Sequence, residues 1–185
     1  GRMVIPPMYD YARHYSDGTA PVQLGGEWGF VRQDASMLLE PGYADAWGFS
    51  EGLAPVKIGD HWGIIDTSGH TVVPPQFDDA RSFCNGIAPV RSAGKWGMIN
   101  QEGGFVLPLQ FDWIGSFQNG CAIVRADGMY GVVSRDGQVI VDPEYDFIEP
   151  YSGGLARVWS YAQWGTDEWG YIDRSGNLLP SFFRD

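Results

Sequence analysis

Short, largely apolar runs broken by polar turns recur along this chain, the length of strands rather than helices. Gly86-Ile87-Ala88-Pro89-Val90-Arg91 is one such run. Ser92-Ala93-Gly94-Lys95 breaks the run, and Trp96-Gly97-Met98-Ile99-Asn100 returns as a second strand. Equivalent breaks contain Gly25-Gly26, Gly59-Asp60 and Asp127-Gly128, residue types that accept positive φ in tight hairpins. A second break follows at Ser68-Gly69, Glu102-Gly103, Asp136-Gly137 and Ser175-Gly176. A short apolar strand comes next, as in Thr71-Val72-Val73 and Val139-Ile140-Val141, and is expected to end at its prolines. No segment keeps a 3.6-residue apolar period between caps, so little or no helix is predicted.

The same pattern is written five times. Trp28, Trp62, Trp96 and Tyr130 stand at intervals of 34 and each precedes glycine. The fifth copy is Trp169-Gly170, because Gly170-Tyr171-Ile172-Asp173 repeats Gly63-Ile64-Ile65-Asp66. Trp164-Gly165 has nothing similar after it, so an insertion lies between Val158 and Trp169. Further positions hold the interval: Tyr9, Tyr43, Phe77, Phe111 and Tyr145; then Tyr15, Phe49, Phe83, Phe117 and Tyr151; then Ala20, Ala54, Ala88, Ala122 and Ala156. The whole chain, 1–185, reads as one repeat domain with units near 4–36, 37–70, 71–104, 105–138 and 139–177, and a tail at 178–185. A three-stranded meander cannot bury its own face, so the units must pack on one another. The glycine after each tryptophan should admit another backbone closely. The aromatic-Asp pairs, such as Tyr9-Asp10 and Phe111-Asp112, suit local Asx turns. The predicted fold is all-β. A closed, propeller-like ring is preferred to an open β-solenoid because no capping helices are evident.

These residues resemble the WG-repeat family, also called KWG repeats, of bacterial proteins. Lys95-Trp96-Gly97 carries the lysine of the longer name; the other units have Glu27, His61, Met129 and Glu168 there. Departures are Tyr130 for Trp, Arg32 and Ser134 for Asp or Asn, and Ala35 for Gly. The resemblance implies a bacterial binding or surface module with no general catalytic motif. A cytoplasmic setting is expected, or the cell envelope if a leader precedes Gly1.

Composition narrows the chemistry. Lys+Arg number 12 against 23 Asp+Glu, a net charge of −11, which disfavours nucleic acid and anionic lipid as partners. No apolar run is long enough for a membrane helix, so no membrane insertion is expected. His14, His61 and His70 fall at different repeat positions, so no metal site and no cofactor are expected. Phosphate loops, nucleophile elbows and dinucleotide fingerprints are absent, and the chain is read as noncatalytic. Cys84 and Cys121 read as reduced, buried apolar side chains.

Residues that break the interval are the candidates for function. Trp159, Tyr161 and Trp164 lie in or beside the insertion, followed by Asp167 and Glu168; Trp47 and Trp113 lie elsewhere. Loops that interrupt a repeat scaffold often carry binding, and Trp and Tyr anchor interfaces. The bland alternative has Trp159 continuing its strand into the core. The expected function is protein–protein interaction with a basic or mixed-charge partner, in its sharpest form an immunity or inhibitor protein. A carbohydrate or cell-envelope module is the alternative.

Overall fold

The computed structural model describes residues 8–161 and 169–179. Its named elements are all strands, arranged as five small antiparallel sheets in tandem. The first sheet holds β1 (Tyr11–Ala12), β2 (Thr19–Leu24), β3 (Glu27–Arg32) and β4 (Met37–Tyr43). The second holds β5 (Asp45–Ala46), β6 (Leu53–Ile58), β7 (His61–Asp66) and β8 (Thr71–Phe77). The third comprises β9 (Asp79–Ala80), β10 (Ile87–Ser92), β11 (Lys95–Asn100) and β12 (Phe105–Phe111). The fourth comprises β13 (Trp113–Ile114), β14 (Cys121–Ala126), β15 (Met129–Ser134) and β16 (Val139–Tyr145). The fifth comprises β17 (Phe147–Ile148), β18 (Leu155–Trp159) and β19 (Trp169–Asp173). Among the described residues, no helix is long and apolar enough to cross a membrane.

The chain divides into two compact units, residues 1–94 with 98–105, and residues 95–97 with 106–185. In the first, Trp28 and Phe30 pack with Ala46, Phe49, Ala54, Val56 and Ile65 of the next sheet. Large rings on one face meet small alanines on the other, so the sheets approach closely; Phe30 and Phe49 lie 4.6 Å apart. In the second, Val132, Val141 and Tyr145 pack with Ile148, Ala156, Val158 and Ile172. Polar staples reinforce this order in the first unit. Asp17 Oδ2 accepts from the Gly52 N–H at 3.2 Å, and Glu51 Oε2 accepts from the Gly86 N–H at 2.7 Å.

The glycine after each tryptophan has the role the sequence suggests. Trp28 pairs with Tyr43 and Phe30 with Leu39, so Glu40, Pro41 and Gly42 stand opposite Gly29 alone. The bulge folds over that glycine, where a Cβ would lie 2.6 Å from the Leu39 carbonyl oxygen. Gly63, Gly97 and Gly131 meet Val73, Leu107 and Val141 at 2.5–2.7 Å in the same way.

Two local expectations are corrected. The apolar strand does not end at its prolines: β8 runs through Pro74 and Pro75 to Phe77. The prolines stand in the bulge of an outer strand, where no ladder N–H is required. Nor do the Asp residues after the aromatics make local Asx turns. Asp10 Oδ2 accepts from the Gly25 N–H at 2.7 Å, and Asp112 Oδ2 from the Asp127 N–H at 2.8 Å, fastening the next hairpin turn. Local Asx geometry belongs to Asp66, whose Oδ1 accepts from the Ser68 and His70 N–H groups at 2.8 and 2.9 Å. Short strands such as β1, with two residues, are too brief for an apolar run to reveal.

Candidate functional site

Each short strand is followed by a connection to the next long strand, and the first position of this connection changes from repeat to repeat. Two residues beyond the start of β1, β5, β9, β13 and β17 stand Arg13, Trp47, Arg81, Gly115 and Glu149. The starts themselves are Tyr11, Asp45, Asp79, Trp113 and Phe147. The buried alanines and valines of the long strands do not vary in this way, so the scaffold holds a changing rim.

In the first unit, Arg13 reaches from the end of β1 to the following sheet. Its guanidinium lies 4.3 Å from the Trp28 ring centre and 4.5 Å from that of Trp47. It pairs with Asp45 at 2.9 Å and donates to the Ala46 carbonyl. One cation thus stacks on two indoles and meets one carboxylate. Trp47 keeps 41% of its surface exposed beside this clamp. The neighbouring cleft, about 510 Å3, is lined by Ala12, Arg13, His14, Ser16, Trp47, Gly48 and Ser82.

The second unit has a smaller cleft, about 210 Å3, at the same repeat position. Trp113, Gly115, Ser116, Gln118, Cys121, Ile123, Pro150 and Tyr151 line it. Trp113 is 42% exposed. The Tyr151 hydroxyl donates to the Asp173 carbonyl at 3.1 Å, and burial pushes its pKa up to about 12. Burial also raises the Cys121 thiol.

Trp159 ends β18 and continues the strand, as the bland alternative has it. It is half-buried, 5.7 Å from Phe147 at an interplanar angle of 55°. Arg157 stacks on Trp159 at 4.7 Å and on Trp169 at 5.5 Å. It also pairs with Glu149 at 2.6 Å, an interaction that raises the Arg157 pKa. Tyr161 is 54% exposed, and its N–H donates to Asp146 Oδ2 at 2.7 Å. This bond repeats those from the Gly25 and Asp127 N–H groups, so the ordinary hairpin fastening persists up to Tyr161. Trp164, Asp167 and Glu168 lie outside the described residues.

The scaffold tryptophans Trp28, Trp62 and Trp96 are buried, whereas Tyr130 and Trp169 are half-buried. Cys121 is buried as expected, but Cys84 is exposed. It occupies the position of Ser16, Ser50 and Ser152, at the mouth of a surface turn, where a side chain points to water rather than core. His14, His61 and His70 are exposed. Among the described residues, no group of three or more His, Cys, Asp or Glu could hold a metal ion. Arg13, Gly115 and Tyr151 were missed as site residues. The one signal in the sequence is that Arg13, Trp47 and Gly115 occupy the same repeat position.

The WG containing repeat matches residues 1–28, 28–60, 62–96, 96–130 and 130–158. The chain therefore belongs to the WG containing repeat family. No curated protein sequence matches it. In three dimensions it is similar to Hsv2p of Kluyveromyces lactis, with TM-score 0.51 and 15% identity, covering 91% of this chain and 62% of that one. It is likewise similar to the N-terminal domain of Nup159, with TM-score 0.51 and 11% identity over 92% of this chain and 60% of that one. These are β-propeller proteins, and the likeness is one of fold. The chain spans about three fifths of the length of such structures.

Proposed function

We propose that this protein is a noncatalytic scaffold that binds another protein through the rim following its short strands. The observation carrying this reading is that a cleft falls at the same repeat position in each unit, beside an exposed tryptophan. Neither lining contains a carboxylate, so neither offers the paired acids of a glycosidase. A net charge of −11 favours a basic or mixed-charge partner and faster encounter at low salt. An inhibitor or immunity-type protein for a basic target is the sharpest form of the proposal.

Outside the two clefts, the aromatics around the fifth sheet favour protein over glycan. Tyr130 and Phe147 meet at 73°, Phe147 and Trp159 at 55°, and Trp169 and Tyr171 at 83°. Sugar faces stack best on rings presented flat, whereas edge-to-face clusters make uneven surfaces suited to side chains. The test is capture on the immobilised chain at about 50 and about 300 mM salt, conditions that change the screening length. Basic proteins should be retained at low salt and lost from a Trp47→Ala, Trp113→Ala variant of unchanged urea midpoint. Equal capture by the parent and this variant would remove the rim from the site.

A further inference from the structure

The fourth sheet combines a tryptophan, a glycine and an isoleucine at three positions that differ among the repeats, and all three line one cleft. Trp113 stands where the other sheets have Tyr11, Asp45, Asp79 and Phe147. Gly115 replaces Arg13, Trp47, Arg81 and Glu149. Ile123 replaces Pro21, Pro55, Pro89 and Arg157. Two of them, Trp113 and Gly115, depend on each other. A Cβ on Gly115 would lie 2.7 Å from Trp113 Cη2 and 3.2 Å from the Ile123 carbonyl oxygen. Glycine is therefore what lets the indole fold over this backbone, and the indole forms a wall of the cleft with Tyr151 and Pro150.

The lining decides the chemistry of an occupant. No carboxylate, lysine or arginine is present, and burial raises the pKa of both Cys121 and Tyr151, so the walls are neutral near pH 7. The volume of about 210 Å3 is below the roughly 300 Å3 at which pockets for whole small molecules begin, and suits side chains of a longer chain. Ile123, Cys121 and Pro150 make much of the wall apolar, so only some of a sugar's hydroxyls would find a replacement for water among Ser116, Gln118 and Trp113. Proline rings need no such replacement. Proline also lacks an N–H, so a polyproline segment brings bare carbonyls to a lining whose Ser116, Gln118 and Trp113 carry donors. Aromatic-lined grooves take such preformed segments at low entropy cost.

We infer that this cleft takes a proline-rich segment of the partner, flanked by arginine or lysine that answer the chain's charge of −11. The inference rests on the rim being a protein-binding face and adds the class of peptide. Its test is fluorescence titration of the full chain with two labelled synthetic peptides of about twelve residues, both ending in arginines. One has a polyproline centre and the other a Gly/Ser centre. The polyproline peptide should bind at near-physiological salt and the Gly/Ser peptide at least about tenfold more weakly. Trp113→Ala and Gly115→Arg should each lower polyproline affinity by at least about tenfold; Trp113→Ala serves alone if the arginine disrupts folding. Equal binding of the two peptides, indifference to Trp113→Ala, or no polyproline binding would overturn the inference. If a basic protein is still captured through Trp47 and Trp113 while polyproline fails, the peptide class falls and the rim reading stands.

Discussion

Gly131 shows how one residue type can be demanded by a neighbour. A Cβ there would lie 2.5 Å from the Val141 carbonyl oxygen and 2.8 Å from the Pro143 nitrogen. Backbone cannot yield as a side chain can, so Gly131→Ala should cost more than about 2 kcal/mol in urea unfolding. The first sheet offers the opposite case. Ala35 has φ 67° in the turn where the later sheets place Gly69, Gly103, Gly137 and Gly176, all also at positive φ. Glycine fits this conformation without the Cβ clash, although it gains entropy when unfolded. Ala35→Gly should therefore raise stability by about 0.5–1 kcal/mol, and a loss in the same assay would contradict the strain argument. The register of glycines made Gly131 and Ala35 legible in the sequence. What it could not supply was the object each meets, because the bulge at Pro143 is set by pairing across strands.

At the scale of elements, the turns between long strands hold depressed carboxylates. The His70 N–H bond, with that of Ser68, lowers the Asp66 pKa. The Asn177 amide, then its N–H and that of Ser175, lowers Asp173. The Ser36 hydroxyl and N–H lower Asp34. A carboxyl whose folded pKa is depressed stabilises fully above its unfolded value of about 3.9. That contribution disappears as pH falls through the folded value. The urea midpoint should hold from about pH 7 to 5 and then fall through about pH 4. An Asp66→Asn, Asp173→Asn variant should start lower and lose less on acidification; an unchanged acid slope would show that these turns do not set it. Short apolar runs between recurring Gly and Asp turns made the long strands legible. The two-residue strands escaped because pairing, not composition, defines them: Trp113 opposes Arg125 and Ile114 opposes Val124. For the same reason the sequence singled out Trp47 and Trp113 yet could not bring Arg13 to Trp47 or Tyr151 to Trp113.

Across the whole molecule, one division of labour explains the pattern. Most residues that keep the repeat, such as Trp62, Ile64 and Ala54, are buried and hold each unit together. Residues that break it, such as Trp47 and Trp113, remain exposed around clefts. The tryptophans therefore fall into two groups, a core motif and an exposed rim. The most direct measurement is the urea-unfolding free energy of Trp113→Ala beside that of Trp62→Ala. Removing buried Trp62 should cost about 3–5 kcal/mol, and removing Trp113 less than about 1 kcal/mol. A loss at Trp113 equal to that at Trp62 would make it another core residue and contradict the account.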